Sequence, residues 1–133
     1  FGLDVGINYR KQDLVAEVMR LTNGRGVDLV YEHVGGELFQ KGMEVLSKDG
    51  RLVTCGAHAG EVVPFDIVPF FRSEKKIIGS FVYTRDEVEK CLDFGRRKLI
   101  KPLVYKTFPL AEAGKAMELL ERREHFGKIV LVP

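Results

Sequence analysis

Two short apolar runs in this 133-residue chain each end in residues small enough to let a ligand reach the backbone. Val27-Asp28-Leu29-Val30-Tyr31-Glu32-His33 leads into Val34-Gly35-Gly36, and Arg51-Leu52-Val53-Thr54 leads into Cys55-Gly56-Ala57. Glycine at the carboxyl end of a strand clears the side chain from the edge where open α/β sheets bind ligands. The chemistry this suits is the holding of an extended ligand by main chain rather than bond making. No nucleophile–base pair and no carboxylate dyad is apparent, so no catalytic residue is expected. Cys55 and His58 are spaced like a metal pair, but a zinc site takes three or four ligands. His33 and His125 have no spaced partners, so no metal ligand is expected either. No Gly-x-Gly-x-x-Gly occurs, so the chain lacks the phosphate-binding turn that usually accompanies such sheets.

The elements around these runs follow from periodicity. Phe1 to Asp4 reads as a helix end turning through Gly2, and Val5 to Tyr9 as a short strand. Asp13 to Leu21 has apolar residues at helical spacing, and Thr22-Asn23-Gly24-Arg25-Gly26 turns the chain. Val27 to His33 scarcely alternates, so both its faces are expected to be covered. Glu37 to Leu46 is helical, Lys48-Asp49-Gly50 a turn and Arg51 to Cys55 a buried strand. After a loop to Pro64, a short helix is expected over Ile67 to Arg72 and a strand over Lys76 to Tyr83. Asp86 to Lys98 is helical, with acidic residues first and basic residues last, as the helix dipole favours. From Leu103 to Phe108 a strand leaves the first sheet. Leu110 to Arg123 is an amphipathic helix and Gly127 to Val132 a final strand. Strand, helix and strand in this order predict an α/β fold built on a parallel sheet.

Composition narrows the partners. A net charge of +2, with 21 basic and 19 acidic residues intermixed, gives no basic patch for nucleic acid or an anionic membrane. No apolar stretch is long enough to span a bilayer. Two cysteines, Cys55 and Cys91, make no disulfide framework and suit a reducing cytoplasm.

Five segments in order resemble the medium-chain dehydrogenase/reductase superfamily, in particular its zinc-type alcohol dehydrogenases and quinone oxidoreductases. They are Ile7-Asn8-Tyr9, Gly26-Val27-Asp28-Leu29-Val30-Tyr31-Glu32-His33-Val34-Gly35-Gly36, Asp49-Gly50-Arg51-Leu52-Val53, Pro109-Leu110-Ala111-Glu112-Ala113 and Phe126-Gly127-Lys128-Ile129-Val130-Leu131. The second is similar to the family's strand and turn of the form GVD-x-V-x-(D/E)-x-x-G. The resemblance implies a Rossmann-like parallel sheet with helices on both faces, lacking its first two strands and the Gly-rich turn. Residues 1–100 would be a partial dinucleotide-binding domain, and residues 101–133 a segment that returns to the catalytic domain. It further implies that this is the C-terminal part of such an enzyme, inactive alone. The catalytic domain, with any zinc, and the strand end that separates NAD from NADP would precede it.

The resemblance also assigns expected roles. As in the NADP-using quinone oxidoreductase branch, Tyr9 would lie beside the adenosine ribose and its 2′-phosphate. Val34, Gly35 and Gly36 would run past the adenine-side ribose. Cys55, Gly56 and Ala57 would lie beside the nicotinamide, with main-chain groups on its carboxamide. Gly79 and Ser80 match the family's GS pair near the cofactor, on an edge strand, residues 77–82, through which members dimerise. Lys128 would approach the phosphates. The implied activity is hydride transfer between NAD or NADP and an alcohol, aldehyde, quinone or enone. A non-catalytic interaction module and another nucleotide binder of the same fold are the alternatives.

Overall fold

A computed structural model describes residues 2–133, so the reading made at Phe1 lies outside the described residues. The chain forms two compact units, one ending at Val82 and the other spanning Tyr83–Pro133.

The first unit holds α1 (Leu14–Leu21), β1 (Val27–Glu32), α2 (Gly36–Glu44), β2 (Leu46–Thr54), α3 (Ile67–Arg72) and β3 (Lys76–Gly79). Its three strands pair in parallel in the order β1-β2-β3. Two of its helices, α1 and α3, start where a side chain can satisfy an orphan N–H. Asp13 accepts from Ala16 N at the head of α1, and Asp66 accepts from Val68 N at the head of α3. The expected turn at Lys48-Asp49-Gly50 lies inside β2. The pairing steps from Val27–Leu46 to Leu29–Arg51, so residues 47–50 are extruded as a bulge. Asp49 there has φ of +62°, its N–H donates to Ser73 O at 2.8 Å and its carboxylate pairs with Lys76 Nζ at 2.6 Å. That ammonium holds the Asp49 carboxyl below the usual range.

The core sits between the sheet and α2. Leu52 is 0% exposed and packs with Met43 and Leu46, bordered by Val27, Val30, Phe39 and Phe70. Gly42 lets α2 approach closely, since a Cβ there would stand 3.1 Å from Val30 and 3.2 Å from Leu52. Lys75 closes the far end of α2, its ammonium donating to Met43 O at 2.6 Å, and partial burial lowers its pKa.

Three expectations are corrected. Val5 to Tyr9 is not a strand, because among the described residues no strand pairs with it and a lone extended segment has no ladder to join. The strand at Val27 is not covered on both faces. Val30 faces α2, while Leu29 and Tyr31 on the opposite face remain exposed, Tyr31 at 66%. The strand at Lys76 stops at Gly79 rather than running to Tyr83. Ser80 N still donates to Thr54 O at 2.9 Å, and Val82 then turns away with φ of +33°.

The second unit holds α4 (Arg85–Arg96), β4 (Val104–Pro109), a 3-10 turn at Leu110–Glu112, α5 (Ala113–Arg122) and β5 (Lys128–Val132). Thr84 and Glu87 form a reciprocal capping box at the start of α4. β4 and β5 pair in parallel as a separate two-stranded sheet, with Phe108 and Ala116 buried.

Leu52 is the best-buried side chain of the larger core, so its truncation should leave a cavity. Leu52→Ala is expected to lower the unfolding free energy by about 2–5 kcal/mol, read by urea denaturation followed by circular dichroism. A loss under about 1 kcal/mol would show that this core tolerates collapse.

Candidate functional site

Because β1, β2 and β3 are parallel and in register, their carboxyl ends emerge together. Glu32 is level with Thr54, and Thr54 with Gly79. The structure therefore brings three of the expected segments to one sheet edge: 33–36 after β1, 55–60 after β2, and Gly79-Ser80 after β3.

The first two loops are joined by their backbones. Ala59 N donates to Val34 O at 2.7 Å, and Gly36 N donates to Gly60 O at 3.1 Å. Gly35 is required at this junction on two grounds. Its φ is +78°, and a Cβ would stand 2.5 Å from Gly60 O and 2.8 Å from Ala57 Cα. Gly56 is equally tight, its missing Cβ lying 2.5 Å from His33 O.

Beneath this junction lies a residue that the sequence reading passed over. Glu32, the last residue of β1, is 6% exposed. Its Oε1 accepts from Val34 N at 2.6 Å and from Gly35 N at 2.7 Å, and its Oε2 accepts from Thr54 Oγ1 at 3.4 Å. A buried carboxylate without such donors would be strongly penalised. The sequence holds a signal for it, an acid at the end of a largely apolar run, three residues before Gly35 and at the (D/E) position of the GVD-x-V-x-(D/E)-x-x-G pattern.

On the opposite face of the sheet from Glu32, Cys55 Sγ lies 3.1 Å from Tyr31 Oη, and the Tyr31 and His33 rings are 6.0 Å apart. The hydrogen bond with Cys55, then the charge of that thiol and burial, raise the Tyr31 phenol above its ordinary pKa. Tyr9 stands on the first unit's irregular N-terminal segment. It borders an open groove that also reaches Leu14, Val18, Tyr31, His33 and Val34, along the unpaired edge of β1. Lys128 belongs to the second unit, where its N–H donates to Leu103 O at 2.7 Å.

The donor set does not fit a zinc ion. Among the described residues no group of three or more His, Cys, Asp or Glu side chains could hold a metal. Cys55 is turned to Tyr31, and His58 is an exposed loop residue.

Gly35→Ala forces a side chain against two backbone segments at a positive φ. It should lower stability by about 1–3 kcal/mol, measured by thermal unfolding. Unchanged stability would mean that the loop junction is looser than its geometry indicates.

Comparison with known proteins places this geometry. The family model for zinc-binding dehydrogenases matches residues 1–131. The chain is 33% identical to a 2-haloacrylate reductase from Burkholderia sp., covering 96% of this chain and 41% of that protein. It is 32% identical to an NAD-dependent alcohol dehydrogenase from Sulfurisphaera tokodaii, covering 99% of this chain and 38% of that one. Its fold superposes on the crystal structure of the alcohol dehydrogenase from the hyperthermophilic archaeon Aeropyrum pernix with a TM-score of 0.86 at 30% identity, over 99% of this chain and 38% of that one. The chain thus spans about two fifths of the length of these relatives. With the parallel sheet, the glycine-bearing strand ends and a family match over nearly every residue, the chain belongs to the zinc-binding dehydrogenase family, within the medium-chain dehydrogenases and reductases.

Proposed function

We propose that this chain forms one wall of the cofactor crevice in an oxidoreductase that moves hydride between a nicotinamide dinucleotide and an alcohol, aldehyde, quinone or enone. The observation that carries the reading is the pair of strand-end loops that one shared register brings to the edge where such sheets bind ligands, locked backbone to backbone through Gly35, Gly36 and Gly56. Val34 and Gly35 would border the adenine-side ribose, with Tyr9 nearby. Cys55, Gly56 and Ala57 would border the nicotinamide, and Gly79 and Ser80 would complete the rim. The bound nicotinamide supplies the hydride chemistry, and the protein supplies orientation. The unpaired β1 edge and its groove would take the further strands of the nucleotide domain. The exposed free thiols of Cys55 and Cys91 support a reducing, cytoplasmic setting. No helix of the described residues is long and apolar enough to cross a membrane.

The reading makes a divided prediction. The whole protein should oxidise NADH or NADPH with an aldehyde, quinone or enone as acceptor, or reduce NAD or NADP with an alcohol. The 133-residue chain alone lacks a glycine-rich turn, and a helix N-terminus with such a turn is what grips the pyrophosphate. Its dissociation constants in calorimetric titration with NADH and NADPH should be about 0.1–1 mM or weaker. Submicromolar binding by the chain alone would overturn this division of labour. A whole protein that binds neither dinucleotide would remove the cofactor reading.

We also infer that two copies associate through the β3 edge, at residues 77–79, the part of the expected 77–82 edge that is strand. Ile77 and Ile78 are 40% and 44% exposed on an edge strand, and an exposed apolar edge favours strand addition. Sedimentation should show a dimer, and Ile78→Lys should shift it toward monomer. A monomeric wild type at high concentration, or a dimer indifferent to Ile78→Lys, would sink the edge-strand model.

A further inference from the structure

Every described main-chain N–H that the first strand-end turn could offer a ligand at residues 34–36 is already engaged inside the protein. Val34 N and Gly35 N donate to Glu32 Oε1, and Gly36 N donates to Gly60 O. Gly35 and Gly36 are the N-cap and first residue of α2, the positions from which a helix would otherwise present donors to an anion. The carboxylate of Glu32 takes two of these donors from within, Val34 N before the helix and Gly35 N at its N-cap, and Gly60 O takes Gly36 N. Glu32 is nearly buried, it belongs to β1, and a second contact to Thr54 Oγ1 ties it to β2.

We propose that Glu32 is a positioning residue for the cofactor, and that it sets what the turn can touch. Resting on the cofactor reading above, the claim has two parts. First, the carboxylate fixes the conformation of Val34 and Gly35, and through Ala59 N to Val34 O it fixes the loop after β2. Second, by consuming these donors and placing a negative group behind them, it makes the turn a wall for an uncharged portion of the dinucleotide, a ribose or a base edge. A phosphate at this turn would meet no free N–H at residues 34–36 and would face the Glu32 carboxylate. The phosphate grip must come from elsewhere in the whole protein.

The test compares Glu32→Gln and Glu32→Leu with wild type on the whole protein. Glutamine keeps an oxygen that can accept from both N–H groups but loses the charge, and leucine removes the acceptor. Hydrogen bonds to a charged group are stronger than neutral ones. Amide hydrogen exchange at Val34 and Gly35 should therefore quicken by about tenfold in Glu32→Gln and by more in Glu32→Leu. Exchange at Leu52 and Val53 in the ladder should change little. The dissociation constant for the preferred dinucleotide should rise in the same order, by more than tenfold for Glu32→Leu, while kcat at saturating cofactor changes less than threefold. If Glu32→Leu does not fold, the Glu32→Gln series decides on the same two readouts.

Exchange at Val34 and Gly35 that is unmoved, or that rises equally across the ladder, overturns the positioning claim. Faster exchange with unchanged dinucleotide affinity also overturns it, reducing Glu32 to a structural residue. If wild type binds no dinucleotide at all, the cofactor reading fails and the role of Glu32 in it falls too, a result distinct from both. The uncharged-wall part is tested with inorganic pyrophosphate. Addition at millimolar concentration should leave the Val34 and Gly35 amide resonances unshifted, and saturable shifts there would refute it.

Discussion

Parallel strands that share a register end at the same edge, and in this chain that alignment carries the rest. β2 is hydrogen-bonded on both sides, and its residues Leu52 to Thr54 are level with Val30 to Glu32 on one side and with Ile77 to Gly79 on the other. Leu52, at the centre of this ladder, is also the side chain most completely removed from water. The residue that anchors α2 and the core thus lies two positions before the end of the strand that leads to Cys55 and Gly56. Slipping β2 by one residue would expose Leu52 and bury its neighbours. It would also move the 55–60 loop out of reach of Val34 and Gly36. Packing and site geometry are set by one register.

The bulge at residues 47–50 shows how that register is kept. Between Val27 and Leu29, β2 carries three more residues than β1. The surplus is extruded at the amino end of the strand, away from the site. There Asp49 is fastened to Ser73 and Lys76, and Ser47 Oγ donates to Val27 O at 3.1 Å. The irregularity is absorbed where no ligand edge lies, and the carboxyl half of the strand pairs without interruption.

Much of this order could be read from residue types. The helix at Ile67 to Arg72 and the helix starts near Asp13 and Asp86 follow from caps and apolar spacing, which are local properties. Strand ends were less legible, because a strand lasts only as long as its partner. Ile77-Ile78-Gly79-Ser80-Phe81-Val82 has strand composition throughout, yet its ladder to β2 stops when Thr54 stops. Val5 to Tyr9 has strand composition and no partner among the described residues. At the site, the glycines were visible because their requirement is steric and local. The role of Glu32 was not, because it depends on folding the chain back by two residues and bringing Thr54 alongside, neither of which a sequence pattern records.

The uncovered face of the sheet bears on the proposed assembly. Wholly parallel sheets are generally covered on both sides, and in this unit the core is confined to the face that meets α2. Leu29 and Tyr31 alternate onto the other face and are exposed at the same time as β1 offers an unpaired edge. An exposed leucine on a surface strand needs no explanation by itself. A bare apolar face beside an unpaired parallel edge is a different matter, because each would be expensive to maintain in water and one added layer would cover both. A strand joining β1, followed by a helix crossing over Leu29 and Tyr31, satisfies both requirements with a single βαβ unit. That is the unit the proposed nucleotide domain would still need to hold a pyrophosphate, since the turn at Val34 to Gly36 has committed its donors to Glu32 and to Gly60 O. The demands of packing and of binding therefore point to the same edge of β1.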